Sequence, residues 1–205
     1  MGIKVTWQGC GPPVLFATGL RNLMPSTGYS QLLRILRQDM KVIHYGQGLL
    51  DNAILQYISD TYADGDKISY IGHSSLSPSI VQSKLIDRAV LLDPSAIPSG
   101  YDIKMQKWTA QHIRPSCDVL VIDAEYTMRT FIPDGFNLMV RGASRHTSFG
   151  VGHVDILDDF YANTCHQLGI RGCSFRSDAR SIRARYRKDV ADRAVCFLTH
   201  YKYTA

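Results

Sequence analysis

A short apolar run, Ile68-Ser69-Tyr70-Ile71, breaks at Gly72-His73-Ser74 immediately before a segment with helical patterning. A strand that stops at such a junction and re-enters as a helix must turn its backbone sharply, and the turn lifts the serine hydroxyl above the edge of a sheet. The junction therefore constrains the architecture. It also constrains the chemistry, because a serine hydroxyl is a weak nucleophile until a base, an acid that orients the base, and oxyanion donors converge on it.

Apolar strand-like runs alternate with helix-like segments through most of the 205 residues, the pattern of an α/β fold with a mainly parallel sheet. Strands are expected at Ile3 to Trp7, Val14 to Thr18, Lys41 to Tyr45, Lys67 to Ile71, Ala89 to Leu92, Val119 to Ile122 and His146 to Val151. Helical spacing is expected over Tyr29 to Asp39 and Leu49 to Ser59. A shorter helix is expected over Ser75 to Asp87, with Pro78 in its first turn, and a long one over Arg180 to Tyr201. Pro94 to Pro115 reads as irregular, either a small lid at the ligand-binding edge of the sheet or only a connection. The length suits one domain over residues 1–205, with no large cap.

Hydrophobic residues make up 45% and charged residues 20% of the chain, and no apolar run approaches the roughly 20 residues of a membrane helix. A soluble protein is expected. No N-terminal stretch combines a basic start, an apolar run and a small-residue cleavage site, so the expected location is intracellular. Met1-Gly2-Ile3-Lys4-Val5-Thr6 fits a loose N-myristoylation pattern, while Ile3, Val5 and Trp7 alternate as a first strand does. Five cysteines (Cys10, Cys117, Cys165, Cys173, Cys196) lack Cys-x-x-Cys spacing, which argues against a zinc site and a disulfide framework. The net charge of +5 is concentrated in Arg171, Arg176, Arg180, Arg183, Arg185, Arg187 and Lys188. Such a run is a solvated helix face or a peripheral contact for an anionic membrane. No nucleic-acid motif or aromatic interleaving accompanies it, so no nucleic-acid partner is expected.

In folds with this elbow the chain order is nucleophile, acid, histidine. Of the seven histidines, His153 follows the last strand in a loop flanked by Gly150 and Gly152, from which an imidazole reaches across the sheet edge to Ser74. Asp93 closes Ala89-Val90-Leu91-Leu92 at the end of the strand after the elbow, and Asp123 and Glu125 close the next one. Past that later strand, where hydrolases of this architecture often carry the acid, the chain has Tyr126, Thr127 and Met128. Asp93 is therefore the preferred orienting acid, with Asp123 or Glu125 as alternatives. An oxyanion hole needs two backbone N–H groups: that of Ser75, next to the nucleophile, and that of Leu20, after Gly19 in the loop following Val14 to Thr18.

These segments resemble the chlorophyllase-related branch of the α/β-hydrolases. Thr18-Gly19-Leu20 with Tyr29-Ser30-Gln31-Leu32-Leu33 is similar to the family's His-Gly-Phe loop and Tyr-Ser-x-Leu-Leu. Gly72-His73-Ser74 is similar to its elbow, and Asp93-Pro94 to its acid site. Gly152-His153-Val154-Asp155-Ile156-Leu157-Asp158-Asp159 is similar to the pattern around its catalytic histidine, and Pro133-Asp134-Gly135-Phe136-Asn137 to a segment before it. The resemblance implies a compact α/β-hydrolase fold and a serine esterase of lipase type. Its triad would be Ser74, Asp93 and His153, its substrate an apolar ester such as the phytyl ester of chlorophyll, and it would use no cofactor and no metal. The family's elbow continues Arg-Gly-Gly where this chain has Ser75-Leu76-Ser77, which motivates the alternative of a weak or inactive hydrolase scaffold acting as a binding protein.

Overall fold

In a computed structural model of the chain, residues 5–18, 25–45, 50–75, 78–95, 111–126 and 138–200 are described. The strands are β1 (Val5–Gln8), β2 (Pro13–Ala17), β3 (Lys41–Tyr45), β4 (Ile68–Ser75), β5 (Ile86–Ser95), β6 (Gln111–Ile113), β7 (Asp118–Tyr126), β8 (Leu138–Val140) and β9 (Ser144–Gly152). The helices are α1 (Ser30–Leu36), α2 (Asn52–Tyr62), α3 (Pro78–Val81), α4 (Asp159–Gln167) and α5 (Ala179–His200), with 3-10 turns at Ser26–Tyr29 and Cys173–Phe175. Seven strands form one sheet in the order β1-β3-β2-β4-β5-β7-β9. Only β1 runs antiparallel to its neighbour. β6 and β8 pair in parallel as a separate two-stranded sheet.

Side chains alternate between the two faces of a strand, and here each face has its own core. Val14, Phe16, Ile71, Val90, Leu92 and Ile122 meet Leu32, Leu33 and Leu36 of α1 and Val190 and Ala194 of α5. Leu15, Ala17, Tyr70, Leu91 and Val121 face the other way, onto Leu55 and Ile58 of α2. Burial on both faces explains why the central strands read as unbroken apolar runs in the sequence. Asp51 caps α2 by accepting the Ile54 N–H at 2.9 Å.

Two expectations are corrected. The helix expected over Ser75 to Asp87 is only Pro78–Val81. The Ser83 N–H bonds to the Ile80 carbonyl, the chain turns, and Ile86 already pairs with Ile68 in the sheet. The long helix expected over Arg180 to Tyr201 is found over Ala179–His200, with Tyr201 outside the described residues, but the basic run is not wholly a solvated face: Arg183 and Arg187 are 3% and 1% exposed. α4 was not among the expected helices: only Ala162 is buried on it, so it carries no apolar stripe. The lid or connection over Pro94 to Pro115 lies largely outside the described residues, although its end forms β6. Among the described residues, no helix is long and apolar enough to cross a membrane.

Candidate active site

Parallel strands end together, and three of them deliver polar side chains to the carboxyl-terminal edge of the sheet. Ser74 lies near the end of β4 at φ 62° and Asp93 lies in β5 at φ 41°. Both are left-handed, a conformation that costs a residue with a β-carbon roughly 1–2 kcal/mol. At Ser74 the break coincides with a register shift between β4 and β5 at His73/Ser75. Strain of this kind persists only where surrounding packing enforces it. After β9 the chain turns at His153, whose N–H donates to the Tyr126 carbonyl at 2.9 Å.

The three side chains form a hydrogen-bonded series. His153 Nε2 lies 2.8 Å from Ser74 Oγ, and His153 Nδ1 meets Asp93 Oδ2. Ser74, Asp93 and His153 are 8%, 4% and 5% exposed, so little water competes for these bonds. A carboxylate only accepts. In the neutral imidazole the proton therefore sits on Nδ1, facing Asp93, and the Nε2 lone pair is directed at the serine hydroxyl. The alternative acids have partners of their own: Asp123 Oδ2 accepts from Arg145 at 2.8 Å, and Glu125 accepts the Gly150 N–H at 2.6 Å. Ser75 is the last residue of β4, whereas Gly19 and Leu20, named for the second oxyanion donor, lie outside the described residues, as does Leu76. Burial and the neighbouring Asp155 push the Cys173 thiol up to about 12, which leaves it no thiolate to compete as a nucleophile.

The turn that carries His153 is held from several sides. Fully buried Asp155 accepts the N–H groups of Gly152 and Cys173, each at 2.7 Å. A β-carbon on Gly172 would lie 2.7 Å from an Asp155 oxygen, so only glycine lets the 3-10 turn approach this closely. Asp158 accepts from Ser30 Oγ and from the Gln31 N–H, tying the loop to α1. Arg187 donates to the Leu157 carbonyl at 2.6 Å and to Gln31 at 2.7 Å, and Arg183 lies 3.1 Å from Asp159. The carboxylates after His153 thus anchor its loop to α1 and α5. Asp155→Ala strands two buried N–H groups and removes an ion-pair partner of Arg183 at 3.9 Å. The expected loss is about 3 kcal/mol of unfolding free energy, read by urea denaturation; a loss under about 1 kcal/mol would show that the loop is held otherwise.

His73 stands in the elbow one residue before Ser74, and its partners come from distant segments. Its Nδ1 lies 2.7 Å from the Tyr29 hydroxyl, its Nε2 lies 3.0 Å from the His153 carbonyl, and its ring stacks on that of His153 at 4.7 Å between centroids. Burial, reinforced by the nearby His153, holds His73 well below the ordinary imidazole value of 6.5.

No family model and no curated protein matches the sequence. Among solved structures, the chain is similar to an esterase from a marine microorganism, at 10% identity and a TM-score of 0.50, over 82% of this chain and 99% of that one. It is also similar to an α/β hydrolase from the metagenome of lagoon sediments at Mar Chica, Morocco, at 12% identity and a TM-score of 0.46, over 80% and 93%. With an α/β hydrolase from Sphaerobacter thermophilus it shares 25% identity at a TM-score of 0.36, over 47% of this chain and 43% of the other's length. With its mostly parallel seven-stranded sheet flanked by helices, the chain has the α/β-hydrolase fold.

Proposed function

We propose that the chain is a serine hydrolase of carboxylic esters. The observation that supports this reading is the buried series Asp93, His153, Ser74 at the carboxyl-terminal sheet edge, with Ser74 held at φ 62° on the strand end. Ser74 Oγ attacks the ester carbonyl while His153 Nε2 takes its proton. Asp93 keeps the imidazole in the required tautomer and stabilises the imidazolium that forms. The oxyanion of the tetrahedral intermediate is received by the Ser75 and Leu20 N–H groups. Collapse breaks the bond to the alkoxide, which leaves as the alcohol with the proton from His153. Water then attacks the acyl-enzyme, His153 acting again as base, and the acid is released with Ser74 restored. No step requires a cofactor.

The substrate we propose is an ester of a long apolar alcohol, as in the chlorophyllase-like esterases. The support is the similarity of Gly152 to Asp159 to that family's histidine segment. A panel of esters with one acyl group and alcohols of increasing length, extended to chlorophyll, tests it. Each methylene that enters an apolar site contributes about 0.8 kcal/mol, so kcat/KM is expected to rise about fourfold per methylene until the site is filled. A panel in which short alcohols are preferred would contradict the long-alcohol reading, and a panel without turnover would contradict the esterase reading.

A further inference from the structure

We propose that Tyr29 and His73 form a positioning pair that grips His153 by its own backbone carbonyl and by ring stacking, keeping the imidazole in line between Asp93 and Ser74. The inference rests on the hydrolase reading and names a part of the site that the triad itself does not include.

The protons can be assigned by elimination. A carbonyl oxygen only accepts, so the 3.0 Å contact from His73 Nε2 to the His153 carbonyl places a proton on Nε2. His73 is held neutral by its burial, so Nδ1 carries a lone pair and the Tyr29 hydroxyl donates to it at 2.7 Å. One tautomer satisfies both contacts, and the opposite tautomer would set a lone pair against a carbonyl. A neutral ring is also what the neighbour requires. His153 becomes an imidazolium in each half-reaction, and a second cation stacked at 4.7 Å would oppose that charge, whereas a neutral aromatic face does not.

The connectivity closes on itself. His73 immediately precedes Ser74 in the chain, its side chain bonds the backbone of residue 153, and the side chain of residue 153 bonds Ser74 Oγ. Nucleophile and base are therefore linked twice, once through the reacting hydrogen bond and once through His73. Tyr29 fixes the outer end of the link. It is fully buried and packs edge-on against Phe16 of β2 at 5.3 Å and against His73 at 5.5 Å, so the clamp is seated in the core of the sheet. A misplacement of the base by about 1 Å costs on the order of 100-fold in rate, which is the size of effect such a clamp guards against.

The test compares wild type with His73→Leu, His73→Gln and Tyr29→Phe on p-nitrophenyl butyrate, with active sites counted by fluorophosphonate titration so that unfolded protein does not enter kcat. His73→Leu is expected to lower kcat about 10- to 100-fold with KM within about twofold. His73→Gln, whose amide still donates to the His153 carbonyl, is expected to recover to within about fivefold of wild type. In wild type, two-bond nitrogen–proton correlations should show His73 protonated on Nε2 alone, and Tyr29→Phe should keep that tautomer, which the His153 carbonyl dictates, while shifting the Nδ1 resonance as its hydrogen-bond donor is lost. This spectrum needs no turnover, so it reads the clamp even if His73→Leu fails to fold. A merely structural role would lower stability while leaving kcat per titrated site unchanged; that result, or a wild-type His73 protonated on Nδ1, overturns the proposal. A wild type that neither hydrolyses the ester nor reacts with fluorophosphonate overturns the hydrolase reading instead, and the catalytic role of the clamp with it, whereas the spectrum separates the two failures.

Discussion

Ser74→Ala lowers kcat for ester hydrolysis by four to six orders of magnitude, on the order of 10⁴- to 10⁶-fold, the scale on which loss of a triad nucleophile acts. The expectation follows from position. Ser74 Oγ is 2.8 Å from His153 Nε2, and Cys173, the buried thiol of the described chain, is held protonated by its surroundings. Alanine keeps the β-carbon of serine and so keeps the left-handed strain at φ 62°. Ser74→Gly is equally inactive but relieves that strain, and should be more stable than Ser74→Ala by about 1 kcal/mol. Steady-state turnover on p-nitrophenyl butyrate and urea melts of both variants check the two halves separately. Turnover within tenfold of wild type in Ser74→Ala would assign the attack to another group.

Asp93→Asn is the second large effect, about 10⁴-fold in kcat. An asparagine fits the same volume but can present an N–H to His153 Nδ1. The imidazole then carries its proton on Nε2, pointing at Ser74 as a donor, and can no longer accept the hydroxyl proton. The alternative carboxylates are engaged elsewhere: Asp123 by Arg145, and Glu125 by the Gly150 N–H. Asp123→Asn and Glu125→Gln should accordingly leave kcat within about threefold, on the general scale of residues outside the reacting set. A larger loss in either of these than in Asp93→Asn would move the orienting role away from β5.

Much of the fold was legible because parallel strands buried on both faces leave uninterrupted apolar runs. All seven strands of the large sheet coincide in place with expected ones, and β3 coincides in both ends. What periodicity does not carry is the order of the strands or the return of β1 as an antiparallel edge. It also misled after the elbow, where Ile80 and Val81 suit a helix and Ile86 onward suits a strand, so one apolar stretch served both. α4 escaped because burying Ala162 alone leaves no stripe to read.

The candidate site was legible in a different way. A glycine-flanked histidine after the last strand and an aspartate closing β5 mark strand ends, and strand ends of a parallel sheet share one edge. The supports around them were not legible. Asp155 acts by accepting N–H groups from residue 152 and from residue 173, and no local pattern joins those positions. The arginine run looked like solvated surface for the same reason: the carboxylates that take Arg183 and Arg187 inside, Asp155 and Asp159, lie before α4 and at its first residue. Tyr29 and His73, 44 positions apart, are likewise joined only by the fold.

The central claim is that Ser74 is an activated nucleophile, and covalent capture tests it without assuming a substrate. Native protein treated with a fluorophosphonate and examined by intact-mass and peptide mass spectrometry should carry one adduct, on Ser74. Heat-denatured protein and the Ser74→Ala variant should carry none, and His153→Ala should react on the order of 10³-fold more slowly. A folded protein that stays unmodified, or that is modified elsewhere with Ser74 intact, would contradict the account.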